Sequence, residues 1–157
     1  MKIIQSEATF SPCRTWRYSL LRRWADGGDY AMFIGLNPST ADETQDDPTV
    51  RRCIRYAQSW GYGAMYMTNI FAFRTPFPLL MKRAQDPVGP DNDETLIRLA
   101  ADAGIVIAAW GTHGAHMQRG KAVRRMIPDL HVLKLTKGDH PCHPLYLKAD
   151  LKPVPWS

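Results

Sequence analysis

The sequence predicts an α/β fold, a three-layer sandwich around a central parallel sheet of four strands. Two observations carry that expectation. Apolar runs without polar alternation recur at residues 31–36, 64–73, 105–110 and 131–135, as strands covered on both faces require. Between them lie stretches whose apolar residues fall at helical spacing, and strands alternating with helices favour parallel pairing through right-handed crossovers. A chain of 157 residues suits one domain spanning 1–157 with a single sizeable core.

Residues 14–24 interleave Arg14, Arg17, Arg22 and Arg23 with Trp16, Tyr18 and Trp24. They read as an N-terminal edge strand or hairpin, set off from the first central strand by a turn at Asp26-Gly27-Gly28-Asp29. Nucleic-acid contact would use the same pattern. The run beginning at Tyr30 stops abruptly at Gly35-Leu36-Asn37-Pro38-Ser39-Thr40. Gly35 permits close backbone approach, and Asn-Pro fixes a sharp exit. Ligand crevices in open α/β sheets lie beyond the carboxyl ends of strands, which makes this loop a candidate site. The alternative is a turn that merely ends a strand.

An acidic segment, 41–47, leads into Asp47-Pro48, an N-cap followed by proline at the first helical position. Val50, Cys53, Ile54 and Ala57 form the buried stripe of this helix, while Arg51, Arg52 and Arg55 gather on another face. Gly61 closes it. The second strand, 64–73, carries Asn69 among apolar neighbours. A buried carboxamide must find partners or cost about 1–3 kcal/mol. Asn69 therefore either ties loops together or reads the edge of an amide-like ligand.

A short helix is expected at 79–84, and a longer one capped by Asp91 or Asn92 with Leu96, Leu99, Ala100 and Ala103 inward and Gly104 as its stop. The third strand ends at Gly111-Thr112-His113-Gly114, a fourth helix covers about 115–126, and 131–135 is the fourth core strand. The tail, 136–157, is too proline-rich for regular structure. It nevertheless carries His140-Pro141-Cys142-His143-Pro144-Leu145-Tyr146-Leu147, a second loop at a strand's carboxyl end.

The composition, 45% hydrophobic and 22% charged, is that of a soluble globular protein. A net charge of +5 and a pI near 9.3 favour an anionic partner, with Arg14 to Arg23, Arg51, Arg52, Arg55 and Lys148 as its contacts. Cys13, Cys53 and Cys142 are too scattered for a disulfide framework or a CxxC metal knuckle, which fits a reducing compartment. No leader and no apolar run approaching the ~20 residues of a membrane span is present, so a cytoplasmic protein without a membrane partner is expected.

Three loops stand in a particular order: Gly35-Leu36-Asn37-Pro38, then Thr68-Asn69, then His143-Pro144-Leu145-Tyr146-Leu147. Together they resemble the uracil-DNA glycosylase superfamily over residues 30–147. Those stretches, with Asp47-Pro48-Thr49 and Asp86-Pro87-Val88-Gly89-Pro90, also resemble a small bacterial and phage family, domain of unknown function 1643. The superfamily resemblance implies that Asn37 orients a water towards the sugar carbon, Asn69 pairs with the base edge and His143 hydrogen-bonds the base oxygen as charge develops. It implies that Gly35, Leu36, Pro38, Ser39 and Pro144 frame the base, Leu147 wedges into a duplex and Lys148 neutralises a phosphate. Ser39 and Leu145 depart from the superfamily's usual residues, and segment 41–47 replaces its aromatic wall.

The expected function is therefore recognition of a nucleobase, with hydrolysis of its N-glycosidic bond in DNA or a nucleoside or nucleotide, without a cofactor. A non-catalytic module binding a nucleobase or nucleic acid is the alternative. A metal-dependent hydrolase would need His113, His116, His140, Cys142 and His143 to converge, and their spacing matches no familiar zinc pattern.

Overall fold

The computed structural model describes residues 1–157. Strands β1 (Gln5–Phe10), β2 (Arg17–Arg23) and β3 (Tyr30–Gly35) precede helix α1 (Pro48–Ser59) and β4 (Ala64–Asn69). Helices α2 (Pro78–Arg83) and α3 (Asn92–Asp102), β5 (Ile105–Ala108), α4 (Arg119–Met126), β6 (His131–Val132) and β7 (Val154–Pro155) follow. The strands make one seven-stranded mixed sheet in the order β1-β2-β4-β3-β5-β6-β7. Parallel pairs join β3 to β4, β3 to β5 and β5 to β6, whereas β1, β2 and β7 join antiparallel.

Alternation along β3 decides the layers. Ala31 and Phe33 pack with Val50, Cys53, Ile54, Tyr56 and Ala57 of α1, while Met32 and Ile34 pack with Met81 of α2, Leu96 and Leu99 of α3, and Val123 of α4. Helices thus cover both faces of β3, which is why its sequence is continuously apolar. Each fully buried Phe, Met or Ile there contributes about 1.5–3 kcal/mol. Helix α1 starts as expected: the Asp47 carboxylate accepts the Val50 N–H at 2.8 Å, Pro48 opens the first turn, and Gly61 adopts φ +89° just beyond the end. No helix is long and apolar enough to cross a membrane.

Several boundaries differ from the sequence expectation. The sheet is wider than four strands, and the basic strand β2 is not an edge, because it lies between β1 and β4 with Arg17 to Arg22 all buried. The edge is β1, whose outermost position leaves it largely exposed and without an apolar signature. Asp26 to Asp29 is not a hairpin turn, since β4 separates β2 from β3. Gly27 and Gly28, at φ +73° and +80°, instead redirect the chain past β4.

Strand β4 ends at Asn69, and the Ile70 and Phe71 N–H groups bond the Gly35 and Leu36 carbonyls. The expected fourth helix begins only at Arg119, because Met117 and Gln118 take left-handed backbone (φ 56° and 52°) between a 3-10 turn and α4. The tail is more ordered than its prolines imply, with a Leu135–Pro141 bridge, a 3-10 turn at Pro144–Tyr146 and β7.

Candidate functional site

The carboxyl ends of β3, β4 and β5 open onto a cleft of about 670 Å³, closed on one side by the loop 142–147. That volume lies within the ~300–1,000 Å³ typical of small-ligand pockets. Gly35, Leu36, Asn37, Pro38 and Ser39 line it from β3, Asn69 from β4, and His143 and Leu147 from the late loop. Pro144 is buried behind the surface and does not line it.

Each polar group in this cleft is constrained by its local chain. Asn37 Nδ2 donates to the carbonyls of Thr75 (2.8 Å), Pro38 (3.2 Å) and Phe73 (3.4 Å), pinning the β3 loop to the segment after β4. Only Oδ1 is left for a ligand or water. At Gly35 a Cβ would stand 2.8 Å from Met67 Cε and 2.9 Å from Asn69 Nδ2, so any larger residue would displace these two side chains. Asn69 is 2% exposed, its carbonyl takes a 2.9 Å bond from Asn92 Nδ2, and its Oδ1 accepts from Arg17 Nη2 at 3.2 Å.

Arg17, which the sequence offered only as one of the basic contacts for an anionic partner, belongs to the cleft itself. It is 2% exposed, lines the cleft, and donates from Nη1 to the Ala41 carbonyl at 3.1 Å, yet no carboxylate forms an ion pair with it and Nε has no partner. Burial lowers its pKa to about 10, with Asp47 opposing, so it stays charged at neutral pH. The sequence signal was Asn69 itself: a carboxamide in an apolar strand demands a polar partner from a neighbouring strand. Asp47, read from sequence as a helix cap, is the sole carboxylate among the lining residues.

His143 is exposed at the rim, and its Nδ1 accepts the Leu145 N–H at 3.2 Å. That bond assigns the ring proton to Nε2. Although the residue is exposed as a whole, desolvation lowers the pKa of its imidazole, with Asp47 opposing. At neutral pH it is an uncharged donor.

The acidic segment is held by arginines. Buried Arg22 bonds the Asp46 carboxylate at 2.8 Å and the carbonyls of Asp42 and Gln45. Arg14 grips Glu43 with two bonds of 2.7 and 2.8 Å and pulls its pKa down to about 2, while Arg74 bonds the carbonyls of Ser39 and Thr40.

A family model described as protein of unknown function (DUF1643) matches residues 17–145. The chain belongs to this family. Neither the curated proteins nor the solved structures gave a match. The DUF1643 match runs from Arg17 to Leu145, so it contains Asn37, Asp47, Asn69 and His143. Outside it lie β1, Tyr146 and Leu147.

Other expected contacts are dispersed. Leu147 does not project as a wedge: it is half-buried against the core beneath α1, and the side chain standing free at the rim is Tyr146, 90% exposed. Arg51 and Arg55 are exposed on α1 outside the cleft lining, Arg52 lies over the Tyr56 ring at 5.4 Å, and exposed Lys148 accepts the Tyr56 hydroxyl at its carbonyl. Of the five groups a metal enzyme would use, His113, Cys142 and His143 line the cleft, His116 packs on Phe71 and His140 lines a second cavity, and no three His, Cys, Asp or Glu groups are placed to hold an ion.

Proposed function

We propose that this DUF1643 member binds a nucleobase in the cleft and hydrolyses its N-glycosidic bond. One observation carries the reading: Asn37, Asn69 and His143, far apart in sequence, all border one cleft at the carboxyl ends of the parallel strands. The finer correspondence, of β4, β3, β5 and β6 with the four-stranded parallel core of the uracil-DNA glycosylase superfamily, belongs to the same proposal.

In this reaction the C–N bond breaks with its electron pair going to the base, and a water oxygen bonds the sugar carbon. Asn37 Oδ1 orients that water. A carboxamide does not take up a proton at neutral pH, so the water's proton goes to Asp47, the one carboxylate in the lining. Neutral His143 donates from Nε2 to the base oxygen as it becomes anionic, a form of stabilisation worth about 2.7–4 kcal/mol per donor. A second reading, binding without cleavage, is favoured by the three structural bonds that already occupy Asn37 Nδ2.

The test is release of free base from uracil-, hypoxanthine-, xanthine- and modified-base substrates, offered as nucleosides, single strands and duplexes. His143→Ala and Asn37→Ala should each slow release by about a hundredfold or more. Base binding without release leaves the second reading, and release that survives both substitutions removes the site assignment. A steep loss of strand binding with salt, blunted by neutralising Arg51, Arg55 and Lys148, would favour nucleic acid over a free nucleoside.

A further inference from the structure

We propose that the second cavity, which shares only Trp110 with the cleft, is a binding site for the phosphate group of a small phosphomonoester. It stands apart from the reaction proposed for the cleft and does not depend on it.

This cavity has a volume of about 480 Å³, within the range of small-ligand pockets. Its space exists because glycines stand beside Trp110: a Cβ on Gly114 would lie 2.1 Å from Trp110 Cδ1, and one on Gly120 would lie 2.8 Å from Trp110 Nε1. Trp110 is 2% exposed, yet its indole N–H finds no acceptor in the protein and is not among the buried atoms left without a partner. The edge that carries this N–H faces Gly114 and Gly120, which line the second cavity and not the cleft. A donor taken almost wholly out of water, without a protein acceptor but open to a cavity, points to a ligand that brings a lone pair.

The surrounding charge makes that acceptor an anion. Lys121 and Arg124 stand three residues apart on α4, so both reach the same face, and both line the cavity. Lys121 forms no ion pair. Arg124 lies over the Trp156 ring at 3.8 Å and is 3.6 Å from Asp139, the one carboxylate in the lining, which also accepts Trp156 Nε1 at 3.2 Å. Two cations thus face one engaged carboxylate. Gln118 opens α4 in left-handed backbone without a side-chain cap, and with Gly120 it brings the positive end of the helix to the same space.

An indole N–H, an ammonium, a guanidinium and a helix start around one cavity suit an oxyanion with several acceptor oxygens. A phosphomonoester carries a charge of about −1.5 to −2 at neutral pH, which matches the two cations. It also enters by one free end, leaving the remaining volume for its organic part beside Trp156. A phosphodiester within a strand brings a single charge and has to lead both ester arms back out.

The experiment is proton–nitrogen correlation NMR of the full chain, titrated in phosphate-free buffer with inorganic phosphate, ribose 5-phosphate or a short single-stranded oligonucleotide. The Trp110 indole signal, assigned by its loss in Trp110→Phe, should shift with phosphate and with ribose 5-phosphate. Lys121→Ala and Arg124→Gln should each weaken that binding by about tenfold or more. Arg125→Ala removes the same charge from the same helix outside the cavity, and should bind as the wild type does. Gly120→Ala sets a methyl group against the indole N–H and should abolish the shift. If Gly120→Ala does not fold, the exposed Lys121 carries the test, since its loss leaves the packing intact. An indole signal unmoved by phosphate and ribose 5-phosphate, an equal loss in Arg125→Ala, or a response to the oligonucleotide alone overturns the inference.

Discussion

Arg22→Met tests whether buried arginine holds the acidic segment in place beside the cleft. Arg22 is 2% exposed, and every arm of its guanidinium is bonded: Nε to Asp46, Nη1 to the carbonyls of Leu21 and Glu7, and Nη2 to those of Asp42 and Gln45. Methionine fills similar space without donors, so it removes the bonds and leaves the acceptors. Breaking a buried ion pair from one side costs about 3–5 kcal/mol. The Asp46 side chain keeps 29% exposure and some access to water, which places the loss near the lower end, about 3 kcal/mol. For a chain of this size each kcal/mol moves Tm by about 2–4 °C, giving a fall of about 6–12 °C. Thermal melting followed by circular dichroism reads the shift, and limited proteolysis should show cleavage within 41–47. Arg22→Lys should not rescue, because one ammonium cannot replace a fork that bonds five acceptors. A Tm within about 2 °C of wild type, with the segment still protected, would refute the reasoning.

Asp47 separates two roles: Asp47→Ala should cost about 1 kcal/mol as α1 loses its cap, whereas Asp47→Asn keeps the cap and should instead slow base release, read by denaturant melts beside the release assay. The lowered pKa of His143 fixes a sign, because a histidine that resists protonation in the fold contributes stability present above its unfolded pKa and lost as pH falls through its folded one. An NMR titration should give a His143 midpoint below the usual ~6.5, and His143→Gln should flatten the loss of stability on acidification. Cys13 is exposed, and contacts with Ser11 and Thr15 bring its pKa down to about 7, while burial drives that of Cys53 up. Iodoacetamide at neutral pH should therefore alkylate Cys13 first and Cys53 last, as mapped by mass spectrometry.

What was legible in the sequence was whatever depends on local pattern. The run from Ala31 to Leu36, the Asp47-Pro48 start of α1 and its stop at Gly61 follow from burial on two faces, capping and backbone freedom, all visible within a few residues. The arginines were illegible for the opposite reason. Arg17 and Arg22 sit in a strand that reads as a charged edge, and only the seven-stranded arrangement reveals that β1 covers β2. Their partners, Asn69 and Asp46, lie far along the chain. Asn69 was legible as a residue needing a partner, though not which one. Leu147 and Tyr146 show the same limit: order along the loop was readable, but which of the two turns inward depends on contacts with α1.

The charge inventory of the cleft bears on which chemistry it suits. Its lining carries one buried cation, Arg17, one carboxylate, Asp47, and two histidines, of which His143 is held neutral, so the fixed charges of the ground state are close to balanced. A site of this kind gains little from a ligand that arrives already charged, because either sign meets its like as well as its opposite. It gains more from charges that separate during a reaction. In the proposed hydrolysis the base becomes anionic, and His143 and the Asn69 amide backed by Arg17 are the donors the lining offers it. The sugar becomes cationic, and Asp47 and Asn37 Oδ1 are the negative poles the lining offers it. Fixed dipoles and charges aimed at a separation that exists only in the transition state lower the barrier without tightening the ground state. The basic arginines that raise the pI are, in this light, partly spent inside the molecule: Arg17, Arg22 and Arg74 bond the chain around the cleft, so net charge alone does not describe the surface a partner would meet.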